Sequence, residues 1–470
     1  MLLALDIGTT HTKALLLNRA GNALQRQERR NMLLDNPSGM MEQSPEAIWQ
    51  QVYQLIENLH VSKPEKLVLS TAMHGFIAAD SQNMPLTNCW LWSDLRADAL
   101  AQHFRHTETG KDWYFRTGVP VHAMSPALKW KWAKENRQDW ISKVARIFDI
   151  KSWIWYQLTG EFAIDYACAA ATGLMHAEQG KWDEKILEAL GIAPDYLPEI
   201  VRPGHCAALR PELARQWGKI TCMIGTSDGA AAACALPEEA QPQQYLSATI
   251  GTSAALRMLS EKPVLDEAMR TFCYRVDEKR FIVGGASNNG ANVLEWMQKN
   301  MFGGRNTLVE LLALAGLSEP GAGGLIFAPY IYGERAPLYR GDVTGGFVGL
   351  QSKHTQADMV RAVMEGILLN LRLIAEGVRA QLPFERILLG GGFSQNRLGV
   401  QMLADILQTP VQCVQEGMDQ SIAGLLRLTG NFFEIEMSSH FYGPQFEPDI
   451  TLKDIYENVY RHFTEVVKGL

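Results

Sequence analysis

The sequence predicts a two-domain α/β protein with a ligand cleft between its domains. First, its 470 residues are more than one ordinary hydrophobic core accommodates. Second, strand-like apolar runs alternate with amphipathic helical segments in both halves, as in α/β domains. Third, a glycine–threonine turn occurs once in each half, at residues 6–10 and again at 250–253. This duplication suggests that both halves face one ligand.

The composition is that of a globular protein and excludes several classes of function. Hydrophobic residues make up 47% and charged residues 20% of the chain, which argues against extended disorder. The formal net charge is −7, and because like charges form no long run we expect no nucleic-acid partner. No apolar run reaches the length of a membrane span, about 20 residues, so we expect no membrane partner. Seven scattered cysteines favour free thiols and a cytoplasmic location.

Local patterns in the first half predict a strand, a tight turn and a second strand at the N-terminus, then a helix over residues 44–60. Ser44 can cap that helix, and apolar residues recur in it at helical spacing. Further buried strands are predicted from residue 66, over 146–151 and over 220–225. The last of these runs into the predicted turn TSDG and a short helix of small residues.

The composition changes after residue 236, where PEEAQPQQ holds two prolines and no strongly apolar residue. Because such a segment is typical of a linker, we predict domains at 1–236 and 244–470. The second domain has a predicted long amphipathic helix over 357–382 and a strand–glycine turn–helix unit over 386–407. A terminal helix is predicted in LKDIYENVYRHF.

The paired turns predict a polyphosphate site. A glycine–threonine turn presents backbone N–H groups and hydroxyls where an anion can approach closely, although hairpins also use such turns for steric reasons alone. Asp6 in the first turn aligns with Thr249 in the second, so only the first turn carries a carboxylate. This is expected if one Mg²⁺ is held on one side of the phosphates. Lys13 can neutralise phosphate charge. The candidate phosphate-binding residues are Gly8, Thr9, Thr10, Lys13, Gly251, Thr252 and Ser253.

Phosphoryl transfer to a hydroxyl needs a carboxylate base, and Asp228 is the candidate. It lies between a buried strand and a helix of small residues, where the end of a parallel strand meets ligand. The alternative is that Asp228 only caps that helix. Polar or aromatic residues near the ends of other apolar runs suit a hydroxyl-rich substrate, although each is also an ordinary loop or core residue. They are Met73, His74, Trp92, Asp94, Arg96 and His122.

The chain lacks the P-loop pattern. Gly390-Gly391-Gly392 follows a predicted strand, where a bare backbone can pack against a flat base; a tight turn that needs positive φ explains these glycines equally well.

Three motifs make the chain resemble the FGGY carbohydrate kinases over residues 2 to about 430. GGFVGLQSKHTQADMVRAVMEG is similar to the C-terminal signature of that family, MSPALKWKW to its N-terminal signature, and GGGFSQN to its adenosine-binding turn. The resemblance implies an actin-like, ribonuclease-H-like fold in each half. It implies ATP-dependent phosphorylation of a sugar hydroxyl, and it suggests that the protein is a homodimer. It also implies Asp228 as the base, Asp6 as support for Mg²⁺, and Gly391 and Gln395 near the nucleoside.

Within the family, YFRTGVPVHAMSP, IDYACAAATGLM and ATIGTSAALR are most similar to bacterial gluconokinases. The expected substrate is therefore D-gluconate, converted to 6-phospho-D-gluconate, with His74, Arg96 and His122 able to recognise its carboxylate. Xylulokinases share the patterns at 73–75 and 333–335, which keeps xylulose or another pentulose as an alternative. His11 and Ala123 depart from the usual pattern. A non-catalytic actin-like ATPase switch is the alternative from another class.

Overall fold

The computed structural model describes residues 1–19, 21–34, 39–60, 64–236, 244–415, 419–433 and 442–470. Two large sheets, each with helices packed against it, form the framework of the protein. The strands are β1 Leu2–Ile7, β2 His11–Leu17, β3 Ala23–Arg30, β4 Glu42–Gln43, β5 Lys66–Thr71, β6 Ile77–Ala79, β7 Cys89–Trp90, β8 Arg146–Phe148, β9 Ala163–Asp165, β10 Met175–His176, β11 Lys181–Trp182, β12 Glu199–Val201, β13 Cys206–Ala208, β14 Thr221–Ser227, β15 Tyr245–Ile250, β16 Ala254–Ser260, β17 Phe272–Arg275, β18 Phe281–Ser287, β19 Ile326–Ala328, β20 Gly346–Val348, β21 Arg386–Gly390, β22 Val411–Val414 and β23 Tyr442–Phe446.

Helices lie between and around these strands. They are α1 Pro45–His60, α2 Asp98–Arg105, α3 Glu108–Thr117, α4 Pro126–Glu135, α5 Ile150–Thr159, α6 Tyr166–Ala171, α7 Glu184–Leu190, α8 Pro211–Trp217, α9 Asp228–Cys234, α10 Ala291–Asn300, α11 Leu308–Ala315, α12 Gln356–Arg379, α13 Arg397–Leu407, α14 Gln420–Phe433 and α15 Lys453–Lys468. In the part of the chain that the structure describes, no helix combines the length and apolar character needed to cross a membrane.

The centre of the fold is built twice. The first sheet has six strands in the order β13-β14-β5-β1-β2-β3, and the second has seven in the order β17-β18-β16-β15-β21-β22-β23. In the first, β1 pairs antiparallel with β2 and parallel with β5. In the second, β15 pairs antiparallel with β16 and parallel with β21. Each glycine–threonine turn therefore joins the central hairpin of its own sheet.

Several observed helices begin close to the residues at which the sequence predicts them to begin. Helix α1 begins at Pro45, and the Ser44 hydroxyl accepts a hydrogen bond from the Ala47 N–H at 3.2 Å. The predicted helix at 357–382 is α12, which begins one residue earlier, after Thr355 and Asp358 form a capping box. The unit at 386–407 is strand β21, a 3₁₀ turn and helix α13, and the terminal helix is α15.

Two local predictions were wrong. The strand expected over 146–151 ends at Phe148, because the Asp149 carboxylate accepts the Ser152 N–H and starts helix α5. The expected turn TSDG does not form, since β14 continues to Ser227 and α9 begins directly at Asp228. The predicted domain boundary between 236 and 244 lies outside the described residues.

Helix α14 joins the second half of the chain to the first sheet. It packs against α9 and contacts β1 and β5. Gly424 makes this contact possible: a methyl group at its Cα would lie 1.6 Å from the carbonyl oxygen of Ala231 in α9. The small residues of α9 therefore serve close packing between helices, and this packing holds the helix that begins with Asp228.

Candidate active site

A cavity of about 290 Å³ lies between the two sheets and is lined by both glycine–threonine turns. Of the site residues predicted from sequence, the structure brings eight to it: Thr9, Thr10, Met73, His74, Trp92, Asp228, Thr252 and Ser253. Polar residues that the sequence analysis did not single out also line it: Arg257, Tyr274, Asn288, Asn292, Arg335 and Tyr339. The cavity therefore combines carboxylate, hydroxyl and guanidinium groups.

The first turn is held in place by side chains from neighbouring segments. The indole N–H of Trp92 donates to the Thr9 hydroxyl at 2.9 Å, and the Gln43 amide donates to the Thr9 carbonyl at 2.7 Å. In the second turn the Ala291 N–H, at the start of α10, donates to the Gly251 carbonyl at 2.8 Å. A side chain at Gly251 would meet open space, so this glycine leaves the turn accessible from outside.

Replacing Trp92 with phenylalanine should lower kcat/KM for ATP about fivefold, because it removes one hydrogen bond to the first turn and keeps an aromatic ring. Steady-state kinetics with varied ATP measure the effect. Thr9→Val removes the same hydrogen bond, so the double variant should be no worse than the more impaired single variant. Trp49→Phe, on helix α1, is the matched control. Fully additive losses would contradict a shared role.

Asp6 at the end of β1 has an unsatisfied carboxylate. Its side chain is buried, and among the described residues Oδ1 has no hydrogen-bond partner. Burial raises the pKa of Asp6 to about 7, and the charges of Asp419 and Asp228 act in the same direction. Such an orphaned carboxylate beside further carboxylates fits a divalent cation. Mg²⁺ is commonly held by one or two carboxylates, with phosphate oxygens and water completing its shell.

Lys13, predicted to contact phosphate, forms an ion pair with Asp419. Its ammonium nitrogen lies 2.9 Å from Asp419 Oδ2. Burial alone would lower the pKa of Lys13. The negative charges of Asp419 and then Asp6 outweigh burial and raise the pKa of Lys13. Asp419 also accepts the backbone N–H groups of Ser421 and Ile422 at the start of α14. The lysine therefore ties the first hairpin to this helix, next to Asp6.

Asp228 lies in the cavity wall at the junction of β14 and α9. The helix cap is Ser227, whose hydroxyl accepts the Ala230 N–H at 3.1 Å, so the interpretation of Asp228 as a mere cap is wrong. Asp228 Oδ1 instead accepts the Gly229 N–H at 2.6 Å. Burial raises the pKa of Asp228 and outweighs the opposing charge of Arg257. A carboxylate with a raised pKa is a stronger proton acceptor.

The two predicted histidines are neutral in the folded protein. His74 Nδ1 donates to the Ala171 carbonyl at 2.8 Å, so Nε2 is unprotonated and faces the Tyr274 hydroxyl at 3.4 Å. Burial lowers the pKa of His74 to about 3, and that of His122 to about 3 as well. His122 lies behind the cavity lining. Neither imidazole supplies a positive charge near neutral pH.

The structure does not bring Asp94 and Arg96 to the cavity. The Arg96 guanidinium donates to both oxygens of Asp94, each at 2.8 Å, and also to Glu42. It lies 3.7 Å above the Trp90 ring. Asp94 in turn accepts the Met41 N–H. These two residues therefore hold neighbouring loops together, and the expected contact of Arg96 with a substrate carboxylate is not supported by its position.

Arg257 and Arg335 are the cations that the structure places in the cavity instead. Arg335 donates through Nε to the Asn288 side chain at 2.8 Å, and its guanidinium carbon lies 4.0 Å from the centre of the Trp92 ring. Arg257 has a buried Nε without a partner among the described residues. The sequence held a signal for both: Arg257 interrupts an apolar strand and ends the quoted motif ATIGTSAALR, and Arg335 belongs to the pattern at 333–335.

Gly391 and Gln395 lie outside the cavity and are exposed. Gly391 has φ +87°, and a methyl group there would lie 2.6 Å from the Ile250 carbonyl oxygen. The explanation by positive φ is therefore confirmed for Gly391. The same close approach sets the glycine turn against the second glycine–threonine turn. A nucleoside contact at Gly391 and Gln395 stays a prediction.

Comparisons with known proteins agree with this architecture. Residues 1–235 match the model for the N-terminal domain of the FGGY family of carbohydrate kinases, and residues 246–430 match that for its C-terminal domain. A gluconokinase of Bacillus subtilis (strain 168) is 34% identical, with 100% of this chain and 98% of the relative covered. A xylulose kinase of the same strain is 27% identical, covering 100% and 98%.

Among solved structures, a gluconate kinase from Lactobacillus acidophilus superposes with a TM-score of 0.94 at 27% identity, covering 100% of this chain and 98% of the other. A ligand-bound xylulose kinase from the same organism gives a TM-score of 0.94, 27% identity and the same coverage. The predicted two-domain actin-like, ribonuclease-H-like fold is thereby confirmed.

Proposed function

The chain belongs to the FGGY family of carbohydrate kinases, and from this premise we propose that it transfers the terminal phosphoryl group of Mg-ATP to O6 of D-gluconate. Carbohydrate phosphorylation follows from the family. The choice of gluconate is supported by the relatives, since the gluconokinases are 34% identical and the xylulose kinases 26–28% identical.

The observation that carries the sugar-acid proposal is the charge of the cavity. Among its described lining residues, Arg257 and Arg335 are cations and Asp228 is the carboxylate, while the lining histidine is neutral. Part of this positive charge suits the phosphates of ATP. A sugar acid adds a second anion that the remaining charge can bind, whereas a ketose adds none.

Different residues of the cavity have different roles in phosphoryl transfer. The turns around Thr9, Thr10, Thr252 and Ser253 offer hydroxyls and N–H groups to the triphosphate from both sides. Asp228 accepts the proton of the substrate hydroxyl as its oxygen attacks in line. Asp6 is the residue that would hold Mg²⁺. The cation, when bound with the nucleotide, neutralises charge on the phosphate oxygens.

The test is release of ADP with Mg-ATP and, in parallel, D-gluconate, D-xylulose, L-ribulose, glycerol or no acceptor. We expect turnover with gluconate to exceed that with every neutral acceptor, and ³¹P NMR of the product to place the phosphate on O6. Preference for xylulose would replace gluconate by a pentulose and keep the kinase. Hydrolysis of ATP that is independent of any acceptor would favour an ATPase switch instead.

The location and assembly of the protein stay predictions. All seven cysteines are free thiols, and six of them are buried, which supports the expectation of the reducing cytoplasm. A homodimer is expected from the family resemblance, and size-exclusion chromatography with light scattering tests it.

A further inference from the structure

Part of the cavity lining is rich in hydrogen-bond donors. Arg257 is the arginine beside Asp228: its Nε lies 2.9 Å from the position that a side chain on Gly229 would occupy. Arg335 lines the same cavity together with Trp92, on whose ring it stacks, and Tyr339. We call Arg335 and Tyr339, with His122 packed against Tyr339, the donor cluster.

The Arg335 guanidinium is held rigidly but by neutral acceptors. It donates to the Asn288 side chain at 2.8 Å and to the Ser287 carbonyl at 3.2 Å, and it stacks on Trp92. The adjacent Glu334 carboxylate is occupied by other donors, including the Ser287 hydroxyl at 2.6 Å and the Asn370 amide at 2.8 Å. The positive charge of Arg335 is therefore not neutralised by an internal ion pair and is positioned for a ligand.

Two buried donors of the donor cluster lack acceptors in the described part of the chain. The Tyr339 hydroxyl has no partner, although only 1% of this residue is exposed. His122 Nδ1 accepts the Met124 N–H at 3.2 Å, so its proton lies on Nε2, which also has no partner. The rings of His122 and Tyr339 are 5.9 Å apart. Unpaired buried donors are costly, and a ligand that only accepts hydrogen bonds relieves that cost.

We propose that the donor cluster is a carboxylate-binding subsite, in which Arg335 and the Tyr339 hydroxyl bind the acid group of the sugar acid. An ionised carboxylate is an acceptor without donors and matches the fork of a guanidinium. The acid group of a six-carbon aldonate is at the opposite end of the chain from O6, so an O6 beside Asp228 leaves the acid group free to reach another part of the lining, which includes Arg335. This inference rests on the proposed function and names the residues that select an acid.

The experiment compares D-gluconate with D-gluconamide, its neutral analogue, in the full-length enzyme. Binding without ATP is measured by isothermal titration calorimetry, and KM and kcat are measured by ADP release.

The wild type should prefer gluconate by about 100-fold, the scale of a charge-assisted pair. Arg335→Met should reduce this preference to within about threefold by weakening gluconate alone. Tyr339→Phe, which removes one hydroxyl, should weaken gluconate about tenfold. Arg340→Met, at an exposed neighbour, is the control.

The outcomes separate this inference from the proposed function. A wild type that neither binds gluconate nor phosphorylates it overturns both. The wild type can prefer gluconate while the variants either lose affinity for gluconate and gluconamide equally or keep the preference for gluconate. Either result for the variants overturns the subsite and leaves the proposed function standing. If Arg335→Met fails to fold, as judged by its thermal melting, Tyr339→Phe decides in the same way.

Discussion

Asp228→Asn should lower kcat by about 10²–10⁴-fold, the usual contribution of a general base. Asparagine keeps the shape of the side chain but cannot accept the proton of the attacking hydroxyl. Single-turnover kinetics with saturating ATP and acceptor measure the loss. The dissociation constant for the acceptor should change little, because the cavity keeps its form. Asp342→Asn, at an exposed residue, is the matched control and should leave kcat unchanged.

The pH dependence gives a second readout for Asp228. Its carboxylate works only when deprotonated, so kcat/KM should rise with pH through the pKa of the free enzyme and then level off. Because burial raises that pKa, the acid limb should lie at higher pH than for an ordinary aspartate. Asp228→Asn should abolish the limb. Near-normal turnover of a folded variant would remove Asp228 from the proposed mechanism.

Gly424→Ala should destabilise the protein by about 3 kcal/mol, the upper end of the cost of overpacking. The added methyl group would lie 1.6 Å from the Ala231 carbonyl oxygen, so α14 and α9 must separate. Since both contact points are backbone, no side chain can rotate to relieve the clash. Thermal melting measures the loss of stability. A fall in kcat should accompany it, because α9 begins at Asp228.

Gly377→Ala is the control for this prediction. Gly377 is also inside a helix, α12, but a methyl group there would meet only the Thr271 methyl at the ordinary contact distance of 3.8 Å. Alanine is favoured over glycine inside helices by up to about 1 kcal/mol, so this variant should be slightly more stable. Equal melting temperatures for the two variants would contradict the proposed packing of α14 on α9.

Local signals predicted much of the framework. The two glycine–threonine turns join antiparallel hairpins in equivalent places in the two sheets, as their composition indicated. The start of α1 followed from its cap at Ser44. The small-residue run predicted α9 but not its start, because the helix begins directly at Asp228 without the expected turn. The strand predicted through Asp149 failed because the Asp149 carboxylate accepts the N–H of Ser152 and starts a helix. Such competition from a side chain is hard to weigh against an apolar run.

The candidate site was only partly predictable, because its side chains find partners far along the chain. Arg96 looked like a substrate contact, but the Glu42 carboxylate, 54 residues away, engages it. Lys13 pairs with Asp419, 406 residues away. No pattern within one segment reveals such pairs.

The sequence by itself determined the duplicated hairpins, the single carboxylate that distinguishes the first of them and the family, since turns, caps and periodicity act over a few residues. The tertiary structure alone decided which polar groups share the cavity and which are charged there. It brings Arg257, Arg335 and Tyr339 into one cavity with Asp228, and it keeps His74 and His122 neutral. The physical reason is that burial and pairing depend on the packing of distant segments, and both the donors left for a ligand and the pKa values follow from that packing.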